Sequence, residues 1–379
     1  MSCKRCHKRF CRCHTNGNGN GNGNGNGRGP TGPTGPCCTG PTGPAAPPIF
    51  GGPTGPTGPR GVTFGDCPAS YIQVAPNVCV WVYDLIPPGG ATQGTFVFLH
   101  GAFNDARVWE YAADYLVNRG WRVIAYDMRG YGQSDKPFTG YDFDTLAGDL
   151  RAVLVAKDVT DVTLVGHSLG SGTAVRYMRL YSEDRVGKLI IAGVQDPDPP
   201  RLPQAVVDGA ILAVRTDKPQ AFALAMDSFL LWSPLHYPSD ELRRWNKDQV
   251  INDLPLWVFT NVAANSINTA SFRADNESIT VCTLIIQGLL DAFGPLPGAI
   301  DTQASISGST LLIYETSGHN TWFEEKDRFH QDIEQWAIDC TLRPGVTPGL
   351  PAVLPPTLPV LTGFGPLPIG PIITEVPFP

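Results

Sequence analysis

From Cys67 to Leu342 the chain alternates between two hydrophobic patterns. Short apolar runs at Thr95–His100, Arg122–Asp127, Asp161–Gly166, Lys188–Ala192, Thr280–Gln287 and Thr310–Glu315 have strand length. They are apolar at nearly every position rather than at every second one, the pattern of a strand covered on both faces. Between several of them lie amphipathic stretches of helical period, Ala106–Asn118, Asp142–Lys157 and Leu169–Tyr181, and Thr321–Ile338 closes the series. Strand–helix alternation of this kind predicts an α/β fold with a mostly parallel central sheet flanked by helices. Between Asp196 and Asn276 it lapses into Leu- and Ala-rich sequence holding Trp232, Trp245 and Trp257. Residues 196–276 are therefore expected to form a helical cap inserted over the active edge of the sheet.

The two ends of the chain follow neither pattern. Residues 1–65 hold an Asn-Gly repeat from Asn16 to Gly27, then a Gly-Pro-Thr repeat from Gly29 to Thr63 that is interrupted at Cys37-Cys38 and across Ala46–Gly51. Such a segment cannot bury a core. Glycine at every third position is the collagen pattern, which leaves both an extended tether and a trimerising stalk open. The remainder, 66–342, is expected to be one catalytic-type domain. Residues 343–379 form a Pro- and Leu-rich tail in which only Arg343 and Glu375 are charged, and this tail is expected to run extended against another surface.

Charge separates the same segments. Seven of the 28 Lys and Arg lie in the first 65 residues, which contain no Asp or Glu; the rest of the chain holds 21 against all 35 acidic residues, a formal balance of −14. An acidic body argues against nucleic acid as a partner, because phosphate binding needs clustered Lys and Arg. No run approaches the ~18 apolar residues of a membrane span. No apolar stretch follows the basic start, so synthesis in a cytoplasm without a cleaved signal is expected. Six of the ten cysteines are in the leader: Cys3, Cys6, Cys11, Cys13, Cys37 and Cys38. With His7 and His14 the first four could bind metal, or they could cross-link into a coat. Among Cys67, Cys79, Cys282 and Cys340, the pair Cys67 and Cys79 is the one close in sequence.

The candidate chemistry centres on Gly166-His167-Ser168-Leu169-Gly170, a G-x-S-x-G pattern between a predicted strand and a predicted helix. There a serine is presented on a sharp turn at the carboxyl edge of a sheet. Serine needs a base to take its proton, and the base needs an acid to orient it. Asp291 follows the strand that ends at Gln287, and His319 follows the one that ends at Glu315, so Ser168, Asp291 and His319 occur in a workable order. Asp196 is the alternative acid, ranked behind Asp291 by chain order and loop position. His236 and His330 read as surface or packing residues. Two N–H groups should hold the developing oxyanion: that of Leu169, and that of Ala102 in the His100-Gly101-Ala102-Phe103 loop, with Phe103 the alternative. Phe103 and His167 are candidates for substrate contact. This chemistry requires no metal or organic cofactor.

With these motifs in place, the body resembles an α/β-hydrolase of the esterase, lipase and cofactor-free haloperoxidase group over about 270 residues. The likeness rests on the His-Gly loop leading to Trp109, the Asp127-Met128-Arg129-Gly130-Tyr131-Gly132-Gln133-Ser134-Asp135 turn, the Ser168 motif, Asp291 and Gly318-His319. It implies a serine esterase acting on a small-molecule ester with an apolar part, and it implies that the Asp127–Asp135 charges are scaffold. The segment Leu202–Gly209 is similar to haloperoxidase and perhydrolase-like esterases. Leu169 stands where those enzymes typically carry Met, and Leu289 stands where an acidic residue is usual. The leader resembles the Gly-Pro-Thr regions of bacterial spore-surface proteins, which implies display on a surface layer. The alternative is a structural surface protein whose head merely borrows the fold.

Overall fold

The computed structural model describes residues 67–90, 92–193, 197–198, 204–216, 233, 254–262 and 271–349. The leader, most of the tail, much of the cap and Asp196 lie outside them. The strands are β1 Tyr71–Ala75, β2 Val78–Leu85, β3 Thr95–Leu99, β4 Arg122–Tyr126, β5 Val162–His167, β6 Val186–Ala192, β7 Cys282–Gly288 and β8 Thr310–Tyr314. They form one eight-stranded sheet in the order β1-β2-β4-β3-β5-β6-β7-β8. The β1–β2 and β2–β4 pairings are antiparallel and all the others are parallel.

Each strand sends successive side chains to opposite faces, and the sheet sorts them into two cores. On one face Val97, Leu99, Ile124, Leu164 and Ile285 meet α2 (Phe143–Ala156), α3 (Leu169–Tyr181) and α7 (Leu296–Ser305). On the other, Phe96, Phe98, Val123, Val165 and Ile286 meet α1 (Glu110–Val117), α8 (Thr321–Glu324) and α9 (Lys326–Asp339). Trp109 packs against the rings of Phe98, Trp322 and Phe329 on that second face. The described parts of the insertion between β6 and β7 are α4 (Gln204–Thr216), α5 (Leu256–Val262) and α6 (Arg273–Asn276).

The hairpin β1–β2 lies outside the alternation seen in the sequence. It turns through Pro76-Asn77, where Asn77 takes a left-handed conformation with φ 59°. The predicted 321–338 helix breaks at Glu325, whose side chain turns back to accept from Thr316 Oγ1 and Ser317 Oγ at 2.7 and 2.8 Å. The Asp127–Asp135 turn is tied into the scaffold. Asp127 accepts the amides of Ala106 and Gln133 at 2.8 Å, and Ser134 and Asp135 accept the β2 amides of Trp81 and Cys79 at 2.8 Å. Arg129 forms a two-pronged buried ion pair with Asp149 on α2.

All four body cysteines are paired. Cys67–Cys79 joins the start of the described domain to β2, and Cys282–Cys340 joins the start of β7 to the end of α9, with Cα separations of 5.9 and 6.2 Å.

Candidate active site

Ser168 sits between β5 and α3 with φ 52° and ψ −113°, a backbone region that side-chain-bearing residues occupy only when the surroundings enforce it. The enforcement is visible. The Ser168 amide donates to Ala192 O at 3.0 Å, and Ser171 Oγ donates to Gly166 O and Ala192 O at 2.8 and 3.0 Å. Gly166 and Gly170 have main chain packed where a Cβ would stand. The turn therefore cannot relax, and it holds the serine at the carboxyl edge of the sheet.

Asp291 and His319 reach the same edge from the loops after β7 and β8. His319 Nδ1 lies 2.8 Å from Asp291 Oδ2, with both side chains almost fully buried. Asp291 is fully engaged. Its Oδ2 also accepts from Gln287 Nε2 at 2.9 Å, and its Oδ1 accepts the amides of Phe293 and Gly294 at 2.9 and 2.8 Å. An imidazole that donates from Nδ1 to a carboxylate carries its free lone pair on Nε2, the arrangement of a general base. Gly193, next to the Ala192 carbonyl that holds Ser168, packs against this ring; a Cβ there would be 3.1 Å from His319 Cε1.

The loop after β3 completes the edge. A Cβ on Gly101 would meet Ser168 Cβ at 3.3 Å, so the segment carrying Ala102 lies against the serine. His100 fixes the loop: its Nδ1 donates to Gly101 O at 2.8 Å, and its Nε2 accepts the Met128 amide at 3.0 Å. Burial pushes that imidazole down to about 4, which keeps it neutral. Phe103 is held at φ 65°, and its ring packs 5.7 Å from Phe259 of α5, beneath the insertion. Leu169 begins α3, so its N–H belongs to the first turn, where helical pairing supplies no carbonyl.

His167 has a place the sequence did not indicate. It is buried, and its Nε2 donates to the main-chain carbonyl of His319 at 2.9 Å. Its ring is committed to the protein. Gln287 and Glu324 also bear on the site without having been singled out; their roles depend on contacts between distant loops. His330 lies buried on α9 against Tyr115. A small cavity beside the serine is lined by Ser168, Ser171, Gly172, Val175, Ile191, Pro197, Phe272, Asn276 and Thr302.

Comparison with known proteins agrees with this architecture. The profile of the alpha/beta hydrolase fold family matches residues 94–326. The AB hydrolase superfamily protein YisY of Bacillus subtilis is 30% identical over 274 residues, covering 70% of this chain and 98% of its own. An esterase from Exiguobacterium antarcticum superposes with a TM-score of 0.65 at 29% identity, covering 71% of this chain and 98% of its own. A bromoperoxidase from Bacillus anthracis does so with a TM-score of 0.63 at 27% identity, covering 70% and 98%.

Proposed function

This chain belongs to the alpha/beta hydrolase family, and from that premise we propose that it is a serine hydrolase cleaving a carboxylic ester or related acyl bond through an acyl-enzyme. Ser168 Oγ attacks the carbonyl carbon while His319 Nε2 takes its proton. Asp291 orients the imidazole and stabilises its charged form, and the N–H groups of Leu169 and Ala102 hold the tetrahedral oxyanion. His319 then returns the proton to the departing alcohol, and water repeats the sequence to release the acid. The observation that carries this reading is the buried His319–Asp291 pair at 2.8 Å on the sheet edge from which the strained Ser168 emerges. The largely apolar lining beside Ser168 supports an apolar acyl or alkyl part.

The likeness to a bromoperoxidase supports a second reaction of the same acyl-enzyme, interception by hydrogen peroxide to give a peracid in place of the acid. Leu169 and Leu289, which differ from the residues typical of that group, make hydrolysis the main reaction. The Gly-Pro-Thr leader supports display of the protein on a surface layer through cross-linking or trimerisation.

The deciding experiment is labelling with a fluorophosphonate probe. The wild-type protein is expected to label and Ser168→Ala not to; a folded wild type that stays unlabelled overturns the hydrolase reading.

A further inference from the structure

The loop that carries His319 is held by one buried carboxylate. Glu324, on α8, accepts the Gly318 amide with Oε2 at 2.9 Å and the Asn320 amide with Oε1 at 3.2 Å. These two N–H groups bracket His319 in the chain, so the base is gripped on both sides of its own Cα. A third donor arrives from the insertion: the Ser233 amide reaches the same Oε2 at 3.0 Å, and Ser233 is itself fully buried. A carboxylate withdrawn from water is tolerated only where donors replace its hydration, and N–H bonds to a charged acceptor are short and directional.

We propose, on the reading of Ser168 and His319 given above, that Glu324 is a positioning residue: it sets where the His319 ring stands and makes that setting depend on the insertion being seated at Ser233. Burial, with a smaller contribution from the charge of Asp291, drives the carboxyl up to about 7 against the pull of its three amides. Among the described residues, the neighbouring Glu325 is itself paired with Arg328 on α9. Protonation places a hydrogen where an amide donor points, so the grip on the loop weakens as pH falls below neutrality. The insertion and the base are thereby coupled through one side chain that touches no substrate.

The test compares wild type, Glu324→Gln and Glu324→Asp in the full chain. Glutamine keeps the shape but turns an NH2 toward one of the donors. It is expected to lower kcat and the fluorophosphonate labelling rate about 10- to 100-fold, since a small misplacement of a catalytic group has effects of that order, while KM stays within about threefold. The acid limb of the kcat profile should lose the protonation that belongs to Glu324, and Glu324→Asp should recover part of the rate. The His319 imidazole 1H–15N signals should shift in Glu324→Gln. Unmoved His319 signals in a folded variant overturn the proposal, as does an unchanged kcat with an unchanged pH slope. If Glu324→Gln does not fold, Glu324→Asp is judged by the same measurements. An unlabelled wild type would refute Ser168 as nucleophile, and the His319 signals would still decide the role of Glu324.

Discussion

His167 donates its Nε2 hydrogen to the main-chain carbonyl of His319 across 2.9 Å, so the residue before Ser168 supports the backbone that carries His319. The other ring nitrogen, Nδ1, is buried without a partner among the described residues, which fits a neutral imidazole with its hydrogen on Nε2. Burial, with His319 nearby, holds its pKa well below the ordinary histidine value. On the proposed mechanism, Ser168 and His319 are therefore linked through residue 167 as well as through the proton they share.

Replacing His167 with Phe keeps the ring volume and removes the donor. The expected outcome is a kcat lower by about tenfold and a stability loss of roughly 1–3 kcal/mol, the cost of a buried acceptor left unsatisfied. Ester turnover and urea denaturation measure the two effects. An unchanged kcat would mean that the His319 loop is placed without this contact.

Arg129 and Asp149 test whether the Asp127–Asp135 turn is scaffold. Their side chains are 5% and 3% exposed. Removing one member of such a pair strands a buried charge, at a cost of about 3–5 kcal/mol. Arg129→Met should lose that much stability, with kcat on the folded enzyme within about threefold of wild type. The double variant Arg129→Met with Asp149→Leu should regain most of the loss. If it remains as unstable as the single variant, the charge pairing is not what the turn depends on.

Buried histidines set the acid limit of stability. Burial holds His330 down to about 4, as it does His100, against an unfolded value near 6.5. A group whose folded pKa is depressed gives its full stabilisation above the unfolded value and loses it as pH falls toward the folded one. Glu324 runs the other way: raised to about 7, it gives its full contribution below the usual glutamate range and loses it as pH rises through 7. Asp127, also raised to about 7, acts in the same sense as Glu324, whereas His100, His167 and His330 together lose stability as denaturation midpoints are followed down from pH 6.5 to 4. His330→Phe should make that slope shallower by about one proton. An identical slope would assign the acid sensitivity elsewhere.

The elements that position the site were legible because each is a local pattern. The strand and helix around Ser168 are marked by a change of period, from a continuous apolar run to a helical one, with glycines at the turn. Leu169–Tyr181 appears in the structure with the same bounds. The hairpin Tyr71–Leu85 was missed because no helix follows β1 and it takes no part in the alternation. The break at Glu325 was missed because it depends on two hydroxyls from the preceding loop. Asp291 and His319 could be placed by chain order, whereas the contacts of Gln287 and Glu324 and the link from His167 to His319 exist only once β5, β6, β7 and β8 are assembled in one sheet.

The Cys67–Cys79 bond has a mechanical meaning if the leader is what attaches this enzyme to a surface. Tension on the leader enters the described domain at Cys67 and crosses the covalent bridge directly to β2. Strand β1 is thereby taken out of the load path. The pull passes into the rungs between β2 and β4 and, through the hydrogen bonds that join Cys79 and Asp135, into the turn that follows β4, so a load on the leader reaches the carboxyl edge of the sheet by a route that bypasses β1.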